Sequence, residues 1–360
     1  MVLDPVLLIY GSSGFTGRLM VEEALALGLP CVLAGRSRDK LAALADRTGV
    51  PFRVASLDDR SAVAALLADV AVVLNAAGPF HQTALPLARA CIEHGVHYLD
   101  IMGEYGVVDA LAALDGEARQ RDVMLLPGAG FDVVPSDCLA ALVSRRLPAA
   151  TRLSIALRGL NAISRGSAES VFSQSADRVM VRRQGQLVGI TPGELIRRFD
   201  FGAGPTETTA VSWADVSSAY YSTRIPEITV YYEATPLVRL GLGLNRYASW
   251  LQRTPAWSWW QGVGVGLLPD GPSRAERARG SADVVARVED AEGRCVEARL
   301  HTPEVYSFTA STSVALADRV LSGQYKAGFQ TPAMAFGGEY VLTLPGVSYV
   351  EVPTNAGGVG

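Results

Sequence analysis

The sequence predicts an α/β chain: a parallel sheet wrapped by helices at the N-terminus, then a second α+β domain built on a mainly antiparallel sheet. Three observations predict it. Short apolar runs alternate with helical periodicity six times before about residue 130, a glycine-rich turn joins the first run to the first helix, and after Pro148 strand-like segments follow without regular crossovers. A length of 360 residues fits about two domains, at roughly 100–200 residues each. The domains are expected at 1–135 and 136–335, with a C-terminal strand and tail at 336–360 returning to the first.

Val6–Tyr10 is a continuous apolar run, as expected of a strand buried on both faces, and Gly14–Leu27 carries apolar residues at helical spacing. The alternation continues with strand Cys31–Ala34, helix Arg38–Arg47, strand Phe52–Ala55, helix Ser61–Leu67 and strand Ala71–Leu74. Thr83–His94 reads as an amphipathic helix stopped by Gly95, followed by strand His97–Ile101, helix Val107–Arg121 and strand Val123–Leu126. This rhythm makes a Rossmann sheet with right-handed crossovers. Beyond it come helix Pro135–Arg146 and strands Arg152–Arg158, Gln186–Ile190, Glu227–Glu233, Ser281–Glu289 and Arg294–His301, read as one antiparallel sheet. Helix Phe308–Leu321 and strand Tyr340–Leu344 close the chain, and are expected to return to the first domain.

Composition excludes several functions. A net charge of −4 with interspersed signs and no Lys/Arg block removes nucleic acid as a partner. Cys31, Cys91, Cys138 and Cys295 lie far apart, without the spacing of a zinc site or disulfide framework, so no metal is expected and the thiols read as core residues. The N-terminal residues lack a signal-peptide pattern, and no uninterrupted apolar run reaches the ~18 residues of a spanning helix. A cytoplasmic protein is expected. The apolar segment 236–268, with Trp250, Trp257, Trp259 and Trp260, keeps four readings open: an acyl channel, peripheral membrane contact, a homodimer interface or an ordinary helical pair.

The chemistry begins at Gly11-Ser12-Ser13-Gly14-Phe15-Thr16-Gly17, a glycine trio between a buried strand and a helix. Its glycines permit a tight turn and close backbone approach to a pyrophosphate, while the helix N-terminus offers N–H groups and positive potential. Arg18-Leu19 stands where a Walker A loop needs Lys and Ser or Thr, which disfavours ATP. About 20 residues on, where NAD sites carry an acid, the chain has Arg36-Ser37-Arg38, suited to a 2′-phosphate. The cofactor-binding candidates are therefore Gly11, Ser13, Gly14, Phe15, Thr16, Gly17, Arg36, Ser37 and Arg38, with Asn75, Ala76, Ala77, Gly78 and Pro79 at the end of the fourth strand. The expected cofactor is NADP(H).

Asp100 and Glu104, at the end of the next strand, are candidate catalytic groups: each can relay a proton or bind a substrate amine or hydroxyl, and each can equally cap the following helix. Tyr98 reads as a proton donor or a core residue. Other machinery is missing. Arg36 precedes Lys40 by four positions and Ser322 precedes Lys326, so no Tyr-x-x-x-Lys pair exists, and neither G-x-S-x-G nor H-E-x-x-H occurs. His94 and His97 are separated by the helix-ending Gly95 and would not share a face.

Gly11–Gly17, Ala34–Arg38, Asn75–Phe80, Tyr98–Glu104 and Gly128–Asp137 together resemble the saccharopine dehydrogenase-like oxidoreductases, the trans-acting enoyl reductases in particular. The likeness continues through Ser164–Gly166, Trp213–Val216, Ala219–Thr223 and Gly328–Ala333. It implies a nicotinamide cofactor and substrates ranging from amino-acid imines to enoyl chains on a carrier protein. Met102 departs from the threonine usual in that loop, and position alone brings Arg165, Asp215 and the third catalytic candidate, Tyr220, to the substrate side. The expected function is NADPH-dependent hydride transfer to an enoyl or imine carbon of a small-molecule or carrier-bound acyl substrate. Two alternatives stand beside it: a saccharopine-type amino-acid dehydrogenase, and a lipid-associated cofactor-binding protein without catalysis.

Overall fold

The computed structural model describes residues 6–159, 164, 178–235 and 270–352, and these divide between two compact units. The first comprises Met1–Val134 and Tyr306–Ala335, the second Pro135–Val305 and Phe336–Gly360. Arg165 and the Trp-rich segment 236–268 lie outside the described residues.

The first unit opens β1 (Val6–Tyr10), α1 (Phe15–Ala26), β2 (Cys31–Gly35), α2 (Arg38–Thr48), β3 (Phe52–Val54), α3 (Arg60–Leu67), β4 (Val70–Asn75) and α4 (Phe80–His94). It continues through β5 (His97–Asp100), α5 (Tyr105–Ala112), α6 (Asp115–Gln120) and β6 (Met124–Leu126). The second unit follows with α7 (Val134–Arg146), β7 (Arg152–Arg158), β8 (Val179–Arg183), β9 (Gln186–Ile190), β10 (Ile196–Asp200), β11 (Pro205–Ala210), α8 (Asp215–Thr223), β12 (Glu227–Glu233), α9 (Arg274–Arg279), β13 (Ser281–Glu289) and β14 (Cys295–Pro303). Then come α10 (Val305–Leu321), β15 (Gly328–Phe329), α11 (Pro332–Phe336), a 3₁₀ helix (Gly338–Thr343) and β16 (Ser348–Val352).

The first sheet runs β15-β6-β5-β4-β1-β2-β3, every pair parallel. Leu7, Leu8 and Ile9 of β1 and Val72, Val73 and Leu74 of β4 are fully buried, as a strand covered on both faces requires. Asp59 starts α3 by accepting the Ser61 and Ala62 N–H groups, and Gly95 ends α4 in the left-handed conformation at φ 69°. The sequence reading of one helix over Val107–Arg121 is corrected to two, α5 and α6. Apolar spacing runs through both, but Asp115 at the start of α6 turns its carboxylate to the Phe329 N–H of β15 at 2.8 Å.

Helix Phe308–Leu321 returns to the first unit as expected, and only the C-terminal strand and tail differ. Residues 306–335 make the return, adding α10 and β15, while 336–360 stay with the second unit, where β16 pairs antiparallel with β14. Tyr340–Leu344 is not a strand: the Tyr340 N–H donates to the Gly337 carbonyl at 3.2 Å and the Leu344 N–H to the Val341 carbonyl at 3.3 Å, the three-residue closure of a 3₁₀ helix.

In the second unit the sheet runs β10-β11-β12-β7-β13-β14-β16, with β8 pairing β12 and β9. It is mainly antiparallel, as the sequence suggests, with β12 and β7 parallel. One face carries an apolar cluster of Ala156, Phe199, Phe201, Ala210, Tyr231 and Val285. Around it Arg158 pairs with Asp283 at 2.6 Å and Arg197 with Glu289 at 2.6 Å.

One feature of the first sheet makes stability pH-dependent. His97 Nδ1 accepts the Met124 N–H at 3.1 Å, and its ring lies 4.1 Å from that of Tyr325. Burial holds the imidazole below its ordinary 6.5, against the opposing charge of Asp122. A folded value below the unfolded one gives stability that is present above about pH 6.5 and lost as pH falls through the folded value. Melting between pH 7.5 and 5 should therefore drop less in His97→Gln than in the native protein, and equal drops would exclude the coupling.

Candidate functional site

Five strand ends meet at the carboxyl edge of the first sheet. The turn after β1 is held to β2 by the Gly11 and Ser12 N–H groups, which donate to the Ala34 carbonyl at 2.8 and 3.2 Å. Gly11 adopts φ 85°, and a Cβ there would stand 2.7 Å from the Ala77 nitrogen beyond β4. A Cβ on Gly17 would collide with the Gly11 carbonyl oxygen and lie 2.8 Å from Ser12 Cα. Both positions therefore need glycine. Gly14, at the N-cap of α1, has no side chain to stand between the helix N-terminus and phosphate oxygens. Ser12, absent from the candidates, is fully buried and its hydroxyl donates to Ala34 at 3.3 Å. Phe15 packs edge-on against Tyr306 of α10, their ring centroids 5.2 Å apart.

At the end of β2, Arg36 and Arg38 are exposed and Ser37 caps α2 without a side-chain hydrogen bond. Arg36 stands close enough to Tyr10 for its charge to oppose the upward push of burial on the Tyr10 hydroxyl. The cradle at Gly11–Gly17 and the cationic β2 end fit a dinucleotide carrying a 2′-phosphate.

At the end of β4, buried Asn75 organises the next turn. Its Nδ2 donates to Tyr98 at 3.1 Å and its Oδ1 accepts the Ala77 N–H at 3.0 Å, while Thr83 donates to the Ala77 carbonyl at 2.6 Å. The Gly78–Pro79 bond is cis, and α4 begins directly after it.

Asp100 and Glu104 reach this edge with their oxygens engaged. Asp100, fully buried, accepts the Tyr98 hydroxyl at 2.8 Å and the Gly128 and Met102 N–H groups at 2.9 and 3.1 Å. Burial pushes its carboxyl up to about 6, those donors opposing. Glu104 accepts the N–H groups of Phe80 and His81 at 3.0 and 2.9 Å, capping α4 from 23 and 24 residues downstream. Capping a helix was one of the open readings for both acids, although Glu104 caps the preceding helix and not the following one.

Two further groups here were not among the candidates. His81 Nδ1 lies 3.3 Å from Glu104 Oε2. Asp132, in the loop after β6, sets its carboxylate against Gly103, where a Cβ would come within 2.6 Å, and burial pushes it up to about 7. Their signals were an imidazole directly after Gly78-Pro79-Phe80 and an acid inside Gly128–Asp137. Tyr220 belongs to the second unit, in α8, with the Arg182 guanidinium 4.3 Å from its ring centre. Asp215 starts the same helix and accepts Ser218 at 3.3 Å.

Residues 7–126 match the model of the saccharopine dehydrogenase NADP binding domain. The chain is 31% identical over 153 residues to a saccharopine dehydrogenase-like oxidoreductase of Homo sapiens, which covers 36% of this chain and 35% of that one. It is 29% identical over 148 residues to a trans-acting enoyl reductase of Mycobacterium tuberculosis, covering 39% and 35%. The chain thus spans about a third of the length of the curated relatives it matches. The fold is that of the L-Glu-forming saccharopine dehydrogenase of Saccharomyces cerevisiae, with a TM-score of 0.63 at 12% identity over 97% of this chain and 100% of that one. Residues 7–126 are an NADP(H)-binding domain similar to that of saccharopine dehydrogenase. No described helix is long and apolar enough to cross a membrane.

Proposed function

We propose that the chain is an NADP(H)-dependent oxidoreductase that passes hydride to an enoyl or imine carbon of a small-molecule or carrier-bound acyl substrate. The observation that carries the reading is the glycine cradle of β1–α1 closed against Ala76–Ala77, with Arg36 at the neighbouring strand end. Bound there, NADPH supplies the hydride. The Gly11–Gly17 turn and the α1 N-terminus receive the pyrophosphate, and Arg36, Ser37 and Arg38 receive the 2′-phosphate. Asn75 holds Ala76–Pro79 in the shape that lets the dinucleotide cross the edge. Asp100 and Glu104 keep this edge in register through the N–H groups they accept.

A saccharopine-type amino-acid substrate would present several carboxylates. In the second unit Arg152 and Arg197 are paired with Glu289, Arg158 with Asp283, Arg183 with Glu227, Arg287 with Glu289 and Glu297, and Arg299 with Asp200. These commitments favour an acceptor with fewer negative charges.

Fluorescence titration of the native protein should show NADPH bound at least tenfold more tightly than NADH. Arg36→Ala should erase the preference, costing roughly 1–2 kcal/mol for a charge-assisted phosphate contact. Equal affinities in the native protein would remove the 2′-phosphate assignment, and binding of neither nucleotide would remove the oxidoreductase reading. NADPH oxidation over a panel of enoyl thioesters and keto-acid plus amine pairs then separates the two acceptor classes.

A further inference from the structure

We propose that His81 is the acid–base group of this edge and that Glu104 is the residue that positions it, an inference that rests on the oxidoreductase reading above. The Glu104 side chain is 6% exposed and that of His81 47%, so a buried carboxylate faces an imidazole that reaches solvent. Both carboxylate oxygens are tied to backbone: Oε1 accepts the Phe80 N–H at 3.0 Å and Oε2 the His81 N–H at 2.9 Å. The same Oε2 lies 3.3 Å from His81 Nδ1. A carboxylate held at this ion-pair distance favours the tautomer with its proton on Nδ1, which leaves the Nε2 lone pair for proton transfer. The Gln82 amide nitrogen, 3.3 Å from Nε2, is a donor suited to that lone pair. Carboxylate, Nδ1–H and outward Nε2 form the arrangement by which enzymes orient an imidazole for proton transfer.

The neighbouring acids are worse placed for that work. Each of Asp100 and Glu104 already accepts two backbone N–H groups, and Asp100 is fully buried. His81 lies in the first turn of α4, just past the β4 end, at the edge where dinucleotide folds bring cofactor and substrate together. When hydride adds to the β-carbon of an enoyl acceptor or to an imine carbon, the displaced π pair is left on the α-carbon or nitrogen. The imidazolium Nε2–H gives its proton to that pair, forming the new C–H or N–H bond, and the ring returns to the Nδ1–H tautomer. In the oxidative direction Nε2 takes the proton from the same atom as hydride departs to NADP⁺.

Two measurements test this. In the ligand-free protein at pH 8.5, imidazole ¹⁵N shifts should show His81 as the Nδ1–H tautomer, with Glu104→Ala restoring the Nε2–H form that free imidazoles prefer. An Nε2–H tautomer in the native protein overturns the proposal. In single-turnover oxidation of bound NADPH by a competent acceptor, His81→Gln should slow the step by about 100-fold or more while leaving the NADPH Kd within twofold. Turnover unaffected by His81→Gln overturns the proposal and leaves the oxidoreductase reading standing. Tight NADPH binding without turnover of any acceptor overturns both.

Discussion

Replacing Gly17 by alanine is expected to abolish useful NADPH binding, raising the Kd by more than about 100-fold, or roughly 2.7 kcal/mol. The added methyl would be driven into the Gly11 carbonyl oxygen and to 2.8 Å from Ser12 Cα. Both are backbone atoms of the turn, and neither can rotate away as a side-chain end can. Either α1 moves out or the turn opens, and each displaces the N–H groups that receive the pyrophosphate. Overpacking of this kind should also cost about 1–3 kcal/mol of stability, so affinity must be measured well below the melting temperature. Gly116→Ala, in a helix position with nothing within 4 Å of the new methyl, is the matched control and should bind as the native protein does. Native-like affinity in Gly17→Ala would mean that the turn is not the pyrophosphate site.

Asp100→Ala should lower stability by about 3–5 kcal/mol, the cost of stranding buried donors that shared one acceptor. The Tyr98 hydroxyl and the N–H groups of Met102 and Gly128 lose their partner together, which unties the ends of β5 and β6 from each other. Denaturant unfolding measures the loss, and a change under 1 kcal/mol would show that water replaces the carboxylate freely. Asp100→Asn adds a test of sign. The native carboxyl is held up to about 6, above its ordinary 3.8, so the folded state binds the proton more tightly. The resulting stability is complete below about pH 3.8 and is lost as pH rises through about 6. The advantage of the native protein over Asp100→Asn should therefore shrink by roughly 2 kcal/mol between pH 4 and 7, and an advantage that grows would show burial to be outweighed by the donors.

The cofactor edge was largely legible in the sequence because its signals are local. Val6–Tyr10 is apolar at every position, Gly11 and Gly17 fall where backbone crowds backbone, and Arg36 stands where an acid would mark NAD. Of the strands missed in the second unit, β8, β10 and β11 carry arginines, threonines and a proline in place of clean alternation. Their apolar contribution is confined to a few positions, such as Phe199 and Val181, that make sense only against the rest of the sheet.

What the sequence determined by itself is the parallel sheet and its glycine turn, since periodicity and steric need are written within a few residues of one another. Tertiary structure alone decided that Gly328–Phe329 joins that sheet beside β6, that Tyr306 backs Phe15, and that Glu104 faces His81. Those partners are 23 to 291 positions apart, and which buried acid meets which donor depends on where the chain places them in space, a relation that no local pattern of residues encodes.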